Sequence, residues 1–160
     1  MRNLSATAGE RAVTIDYPDD WFAFARCVPN LVFPQELFGV STHDLPATPK
    51  QLDQPRPMVS SLPAEAILIW CYAQGPGDGP SAHELVAPDY SRFGLPLTYE
   101  EARAYPAYTA REWDPASFIW KRIGVSKGDV SVTVWIWEGT AAPEANVMNA
   151  REVVSSLRIG

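Results

Sequence analysis

The sequence is poor in cysteine and histidine, and it has no long apolar run. Its 160 residues include two cysteines and two histidines. Cys27 and Cys71 lack the Cys-x-x-Cys spacing of metal and redox sites and each lies in an apolar run, so we expect buried free thiols; a disulfide would require export. No segment approaches the roughly 18 apolar residues of a membrane span, and no signal-peptide run opens the chain, which predicts a cytoplasmic protein.

Basic residues are also scarce. The chain has 13 lysines and arginines against 19 carboxylates, a net charge of -6, and only Lys121 and Arg122 are adjacent. Because phosphate binding needs a concentrated basic face, nucleic acid is not an expected partner. Residues 36–89 hold two basic residues and seven carboxylates, a balance that would also repel anionic lipid.

Catalytic motifs are missing as well. There is no Gly-x-Ser-x-Gly elbow, and residues 75–80 form a glycine-rich stretch without Gly-Lys-Ser/Thr, which predicts a loop. His43 and His83 each adjoin a carboxylate and are weak candidates for a metal site with two histidines and one carboxylate. Neighbouring strand residues point to opposite faces, so we favour ordinary surface histidines. The sequence predicts neither an enzyme nor a cofactor, although it does not exclude catalysis.

Proline and tryptophan are abundant by contrast. The 15 prolines are roughly twice the usual share, and six of the 18 aromatic residues are tryptophan. Thirteen prolines fall between Pro29 and Pro115. They predict proline-rich loop insertions at about 45–63 and 75–96 of a single domain, residues 11–160, behind a flexible N-terminus, residues 1–10.

Hydrophobic alternation predicts strands in the first half of the chain. Residues 12–17 alternate and predict a half-buried strand, which a Pro-Asp-Asp turn joins to a second strand at 21–28 as a hairpin. A third strand is predicted at 37–42. Residues 64–74 are apolar on both alternating sets, so we expect this strand in the middle of a sheet covered on both sides.

The second half predicts helices and another hairpin. A capping-box pattern at Thr98 favours a short helix through residue 105, and a strand is possible at 107–113. Strands at 117–125 and 130–138 flank a turn in which Lys127-Gly128 are the predicted loop residues. After Gly139, Thr140 and Pro143 favour the start of a terminal helix, which would pack on the aliphatic side of the hairpin. Its apolar stripe comprises Val147, Ala150, Val153, Val154 and Leu157.

The predicted hairpin has one aliphatic and one aromatic side. Large aromatic surfaces are usually core. If the proline-rich loops cover this one incompletely, the remaining groove would suit an apolar small molecule. Arg122 and Thr133 at its edge could orient a polar end of that molecule. The candidate binding residues are Trp70, Tyr72, Trp120, Arg122, Trp135 and Trp137.

Several short motifs resemble those of a group of small uncharacterised bacterial proteins. They are Tyr17-Pro18-x-x-Trp21, Pro34-x-Glu36, a Pro-Ala-Glu-Ala lead into the apolar strand, and a Ser-Ser-Leu-Arg-Ile ending. Those proteins look like members of the wider fold shared by the PsbP extrinsic subunit of photosystem II and a Ran-binding nuclear import factor. The resemblance implies an α+β fold, in which helices flank both faces of a mainly antiparallel central β-sheet, an α/β/α sandwich. It brings no catalytic residues and implies a domain that docks on partners.

Two functional hypotheses follow. The first is a non-enzymatic docking domain that binds an unknown protein through its acidic, proline-rich loop side. The alternative is a carrier that binds a small apolar ligand on the aromatic face of the sheet. The sequence identifies neither the partner nor the oligomeric state.

Overall fold

The computed structural model describes residues 1–25, 35–45, 61–74, 103–104, 118–127 and 130–160. Their strands form two antiparallel sheets. The three-stranded sheet has the spatial order β1 (Arg2–Ala8), β2 (Arg11–Tyr17), β9 (Arg158–Ile159). The six-stranded sheet has the order β3 (Phe22–Ala25), β4 (Gln35–Ser41), β5 (Ile67–Gln74), β8 (Val130–Gly139), β7 (Phe118–Lys127), β6 (Arg103–Ala104). Helix α1 (Glu144–Ser155) lies between β8 and β9 in the chain.

The predicted α/β/α sandwich is wrong. In the described parts of the chain α1 is the only helix, and it packs on one face of the six-stranded sheet beside the three-stranded sheet. The second sheet exists because residues 2–8, predicted to be a flexible end, form β1. Small apolar side chains at Leu4, Ala6 and Ala8 face inward there, and Gly9 takes the left-handed turn (φ 60°) that brings β2 back. Side chains this small gave a weak alternation signal in the sequence.

The predicted hairpin between the strands at 12–17 and 21–28 is also wrong. Strand β2 alternates as expected, but it pairs with β1 and β9, whereas β3 pairs with β4 in the other sheet. The turn between them therefore carries the chain from one sheet to the other. The Trp21 N–H donates to the Pro18 carbonyl (3.1 Å), and the Arg2 guanidinium donates to the carbonyls of Asp19 and Trp21, which anchors this turn to β1.

Strand β5 confirms the prediction of a central strand covered on both sides. It lies between β4 and β8, and its odd-numbered residues Ile67, Ile69 and Cys71 are buried with the helix and the small sheet. Its even-numbered residues Leu68 and Trp70 are buried in a second cluster on the opposite face.

Two sequence predictions near β6 and β7 differ from the structure. Arg103 and Ala104 pair with β7, so the predicted helix at 98–105 is wrong at these two residues, and its remainder lies outside the described residues. The predicted strand at 107–113 and most of the two proline-rich insertions also lie outside the described residues. In the β7–β8 hairpin Lys127 pairs with Val130, so Lys127 belongs to the strand rather than to the loop, and the register differs from the predicted one by two residues. A shift of two residues leaves the described side chains of β8 on their predicted faces.

The terminal helix lies where the sequence predicts it. Pro143 occupies the N-cap position, and Thr140 belongs to the preceding turn, so Thr140 is not the cap. Ala150, Val153 and Val154 are buried in one cluster with the aliphatic side chains of β5 and β8, on the predicted face, and the helix contacts β2 and β5. The helix ends before Leu157, which is buried in the segment that leads to β9.

Candidate functional site: the aromatic face of the sheet

The face of the six-stranded sheet opposite α1 is lined mainly by aromatic rings, and we call it the aromatic face. The alternation of β5 and β8 places Trp70 and Tyr72 beside Trp135 and Trp137, because Trp70 pairs with Trp135 and Leu68 pairs with Trp137. The aromatic face comprises Phe24, Leu45, Leu62, Ala66, Leu68, Trp70, Tyr72, Phe118, Trp135 and Trp137.

The rings form a continuous series rather than isolated contacts. Trp70 and Tyr72 are stacked, with centroids 5.5 Å apart. Tyr72 lies 5.3 Å from Trp135, and Trp135 lies 5.7 Å from Trp137. Trp70 and Trp137 close the circuit edge to face at 6.5 Å. These separations fall in the range of favourable aromatic pairs, so the four rings hold one another in place.

A glycine makes room for a fifth ring. Phe24 on β3 reaches Trp70 across β4, with centroids 5.0 Å apart and planes at 83°. It crosses the strand at Gly39, where a Cβ atom would lie 2.2 Å from the Phe24 Cζ atom. The pairing of Phe24 with Gly39 is thus a steric requirement for this contact.

Exposure increases along the aromatic face from one end to the other. Leu68 and Trp137 are fully buried and Trp70 is 2 % exposed, whereas Tyr72 and Trp135 are only half-buried. The accessible end is therefore the one formed by the last residues of β5 and the middle of β8. A molecule approaching this face meets Tyr72 and Trp135 first.

Polar groups are concentrated at the same end. Tyr72 pairs with Glu36 on β4 and with Thr133 on β8, and both of these polar residues are buried. A bulge at Leu37 and Phe38 causes this arrangement, because both apolar side chains face the other core while Glu36 lies opposite Tyr72. Without the bulge, alternation would place Glu36 on the aliphatic face. Glu36 was not among the predicted site residues, because the only sign of the bulge in the sequence was the pair of adjacent apolar residues before Gly39.

Two indole N–H groups at the site have no hydrogen-bond acceptor among the described residues. They belong to Trp70 and Trp137, both of which are almost completely buried. Buried donors are normally paired, and an unpaired one costs roughly 1–3 kcal/mol. The aromatic face therefore presents donors as well as apolar surface.

The remaining predicted binding residues lie on β7. Trp120 pairs with Trp137, and Arg122 pairs with Trp135. The structure thus brings four of the six predicted residues together as side chains and places the other two at adjoining backbone positions of the neighbouring strand.

Within the described residues, His43 does not belong to a metal-binding cluster. His43 follows β4, where its Nδ1 atom lies 2.9 Å from Thr42 Oγ1, and this hydroxyl also accepts the Ile67 N–H at 2.9 Å. A hydroxyl that already accepts a bond can donate to the imidazole, so His43 helps to hold the end of β4 against β5. No cluster of three potential metal ligands occurs in the described part, and His83 lies outside it.

Cys71 is a buried free thiol, as the sequence predicts, and Cys27 lies outside the described residues. Cys71 faces the aliphatic core rather than the aromatic face. Burial raises the pKa of this thiol above its ordinary value, because an apolar surrounding disfavours the thiolate. Cys71 is therefore not a nucleophile of the candidate site.

No family model, no curated protein and no solved structure matches this chain. The resemblance to the PsbP-like group therefore stays a prediction. Within the described residues, no helix combines the length and apolar character needed to cross a membrane.

Proposed function

We propose that this protein binds a small, largely apolar ligand on the aromatic face of its six-stranded sheet. The observation that carries the proposal is the combination of four contiguous rings with graded exposure, from buried Trp137 to half-buried Tyr72 and Trp135. Ligand sites are typically apolar surfaces with a few convergent polar groups. Glu36 and Thr133 supply such groups at the accessible end.

The packing on the opposite face of the sheet supports this proposal. The cluster on the other face contains the buried side chains of α1, of the three-stranded sheet and of the odd-numbered β5 residues. It is mainly aliphatic, with Tyr17, Trp21 and Phe38 as its aromatic members, and it accounts for the packing of the two sheets. The rings of the aromatic face do not join the layers that the structure describes, and two of them, Tyr72 and Trp135, remain accessible to a ligand.

The test is an NMR titration of the ¹⁵N-labelled protein with 2-isopropenylnaphthalene, a flat hydrocarbon. Saturable shifts of the tryptophan side-chain N–H signals are expected. Trp135→Thr removes a half-buried ring and keeps a strand-forming residue, so it is expected to lower the affinity by about tenfold.

Phe22→Thr is the matched control. Phe22 is an aromatic residue of the edge strand β3, 45 % exposed, and its partner Ser41 pairs with Leu68, so it lies at the end of the face remote from Tyr72 and Trp135. This variant is expected to bind with unchanged affinity. An absence of saturable shifts in the unmodified protein, or an equal loss in both variants, would contradict the proposal.

The second candidate function is docking on a protein partner through the acidic stretch. Asp44 at the end of β4 is exposed and belongs to the acidic stretch at 36–89, most of which lies outside the described residues. We infer that a protein partner would recognise the negative charge of this stretch. Its binding is then expected to be lost when Asp44, Asp53 and Asp78 are changed to lysine. Co-purification of one stoichiometric protein with the unmodified chain and not with this variant would support docking, and equal recovery with both would contradict it. The cytoplasmic location and the lack of a nucleic-acid partner also stay predictions.

A further inference from the structure

The indole N–H groups of Trp70 and Trp137 narrow the chemistry of the ligand. Resting on the proposed function, we infer that the ligand is a neutral, flat aromatic molecule carrying a carbonyl group, whose oxygen accepts a hydrogen bond from Trp70. A hydrocarbon would fill the apolar surface but would leave this donor unsatisfied.

Trp70 is the donor nearest the accessible end. Its ring stacks on half-buried Tyr72 at 5.5 Å and lies opposite half-buried Trp135 in the pairing of β5 with β8. A molecule that lies over Tyr72 and Trp135 therefore lies nearer to Trp70 than to fully buried Trp137. Trp70 is 2 % exposed, and its N–H has no acceptor in the described part of the chain. A carbonyl oxygen is a strong acceptor that a flat ring can carry in its own plane.

The lack of water discriminates between acceptors. A carboxylate would also accept from Trp70, but it would lose its hydration against this buried apolar surface, and one indole N–H replaces little of that hydration. The chain as a whole carries a net charge of -6, which further disfavours a bound anion. A neutral carbonyl satisfies the donor without this cost, and the structure thus favours a ketone, amide or quinone over an aromatic acid.

Three compounds of nearly equal shape test the inference. They are 2-acetylnaphthalene, 2-isopropenylnaphthalene and 2-naphthoate, which carry a carbonyl, an isosteric alkene and a carboxylate. Equilibrium dialysis is expected to show that the ketone binds about threefold to tenfold tighter than the alkene, the range of one net hydrogen bond. Naphthoate is expected to bind at least about tenfold more weakly than the ketone. The Trp70 N–H proton signal is expected to move downfield with the ketone and not with the alkene.

Substitutions identify the groups responsible. Trp70→Phe keeps an aromatic ring without the N–H, so the preference for the ketone over the alkene is expected to vanish while alkene binding persists. Trp21→Phe is the matched control, since Trp21 is equally buried but lies in the opposite core. It is expected to keep the preference.

The outcomes separate this inference from the proposed function. If none of the three compounds binds, the proposed function fails and the inference fails with it. If ketone and alkene bind equally and Trp70→Phe changes neither, the apolar site stands and the assignment of a carbonyl ligand is overturned. If naphthoate binds as tightly as the ketone to the unmodified protein, the assignment of a neutral ligand is overturned.

Discussion

The two faces of the six-stranded sheet are built by the same strands but differ in chemistry. On β5, Ile67, Ile69 and Cys71 face a covering layer of α1 and the three-stranded sheet, and their cluster is mainly aliphatic. The alternate residues Leu68, Trp70 and Tyr72 face the aromatic cluster. The aromatic face includes the indole donors of Trp70 and Trp137, which have no acceptor among the described residues, and it adjoins a carboxyl group and a hydroxyl. The difference separates a surface that holds the fold together from one equipped for recognition.

The largest expected effect is on the aliphatic face. Ile69→Ala is expected to lower the free energy of unfolding by about 2–5 kcal/mol, because Ile69 is fully buried and its truncation leaves a cavity. Urea denaturation followed by circular dichroism measures this loss. The folded fraction is expected to bind 2-isopropenylnaphthalene with unchanged affinity. Loss of binding by the folded variant would show that the two faces are not independent.

A smaller effect is expected where β4 passes beneath Phe24. Gly39→Ala places a Cβ atom 2.2 Å from the Phe24 Cζ atom and is expected to cost about 1–3 kcal/mol as the ring leaves Trp70. In a Phe24→Ala background the same substitution is expected to cost much less, because the clashing ring is gone. A double-mutant cycle measures this coupling, and additive costs would contradict the contact.

The buried thiol makes stability depend on alkaline pH. The pKa of Cys71 is raised by burial from its ordinary value of 9.0, so the folded state keeps the proton at a pH where the unfolded state releases it. Unfolding thus becomes easier as pH rises above 9, by about 1.4 kcal/mol per pH unit from this group. Below that pH both states hold the proton and the group contributes no slope.

Cys71→Ala is the control for this pH effect, since other groups also titrate above pH 9. Urea denaturation at several pH values is expected to show a shallower decline for the variant than for the unmodified protein. Parallel declines would mean that Cys71 is not shielded in the aliphatic core.

The smallest effect is expected at the sheet edge. Phe22→Thr is expected to change the free energy of unfolding by less than about 0.5 kcal/mol, because the ring is 45 % exposed and threonine suits a strand. Thermal or urea denaturation measures the change. A loss of several kcal/mol would show that Phe22 belongs to the packed core, contrary to its exposure.

Much of the site could be predicted because strand alternation is a local property. Trp70 and Tyr72 on β5, with Trp135 and Trp137 on β8, share a face whatever the exact register, since a shift of two residues preserves the faces. For this reason the aromatic face was predicted correctly although the β7–β8 register was not. Glu36 was missed because a bulge reverses the alternation of β4, and a bulge has no fixed sequence signature.

The layers of the fold were less predictable. The strand at 12–17 was predicted, but its local hairpin partner β1 was not, because the alternation over residues 2–8 is weak. The short strand β9 could not be read from two residues, and it exists only because the end of the chain meets Val13 and Thr14 on β2.

The sequence by itself determined the faces of β5 and β8, the position of α1 and the burial of Cys71, because periodicity and local composition act over a few residues. Only the tertiary structure decided that a second sheet packs beside α1 on the aliphatic side. It also decided that Glu36 lies opposite Tyr72 and that two indole donors meet on one face. These arrangements depend on pairing between segments far apart in the chain, whose free energy no local pattern records.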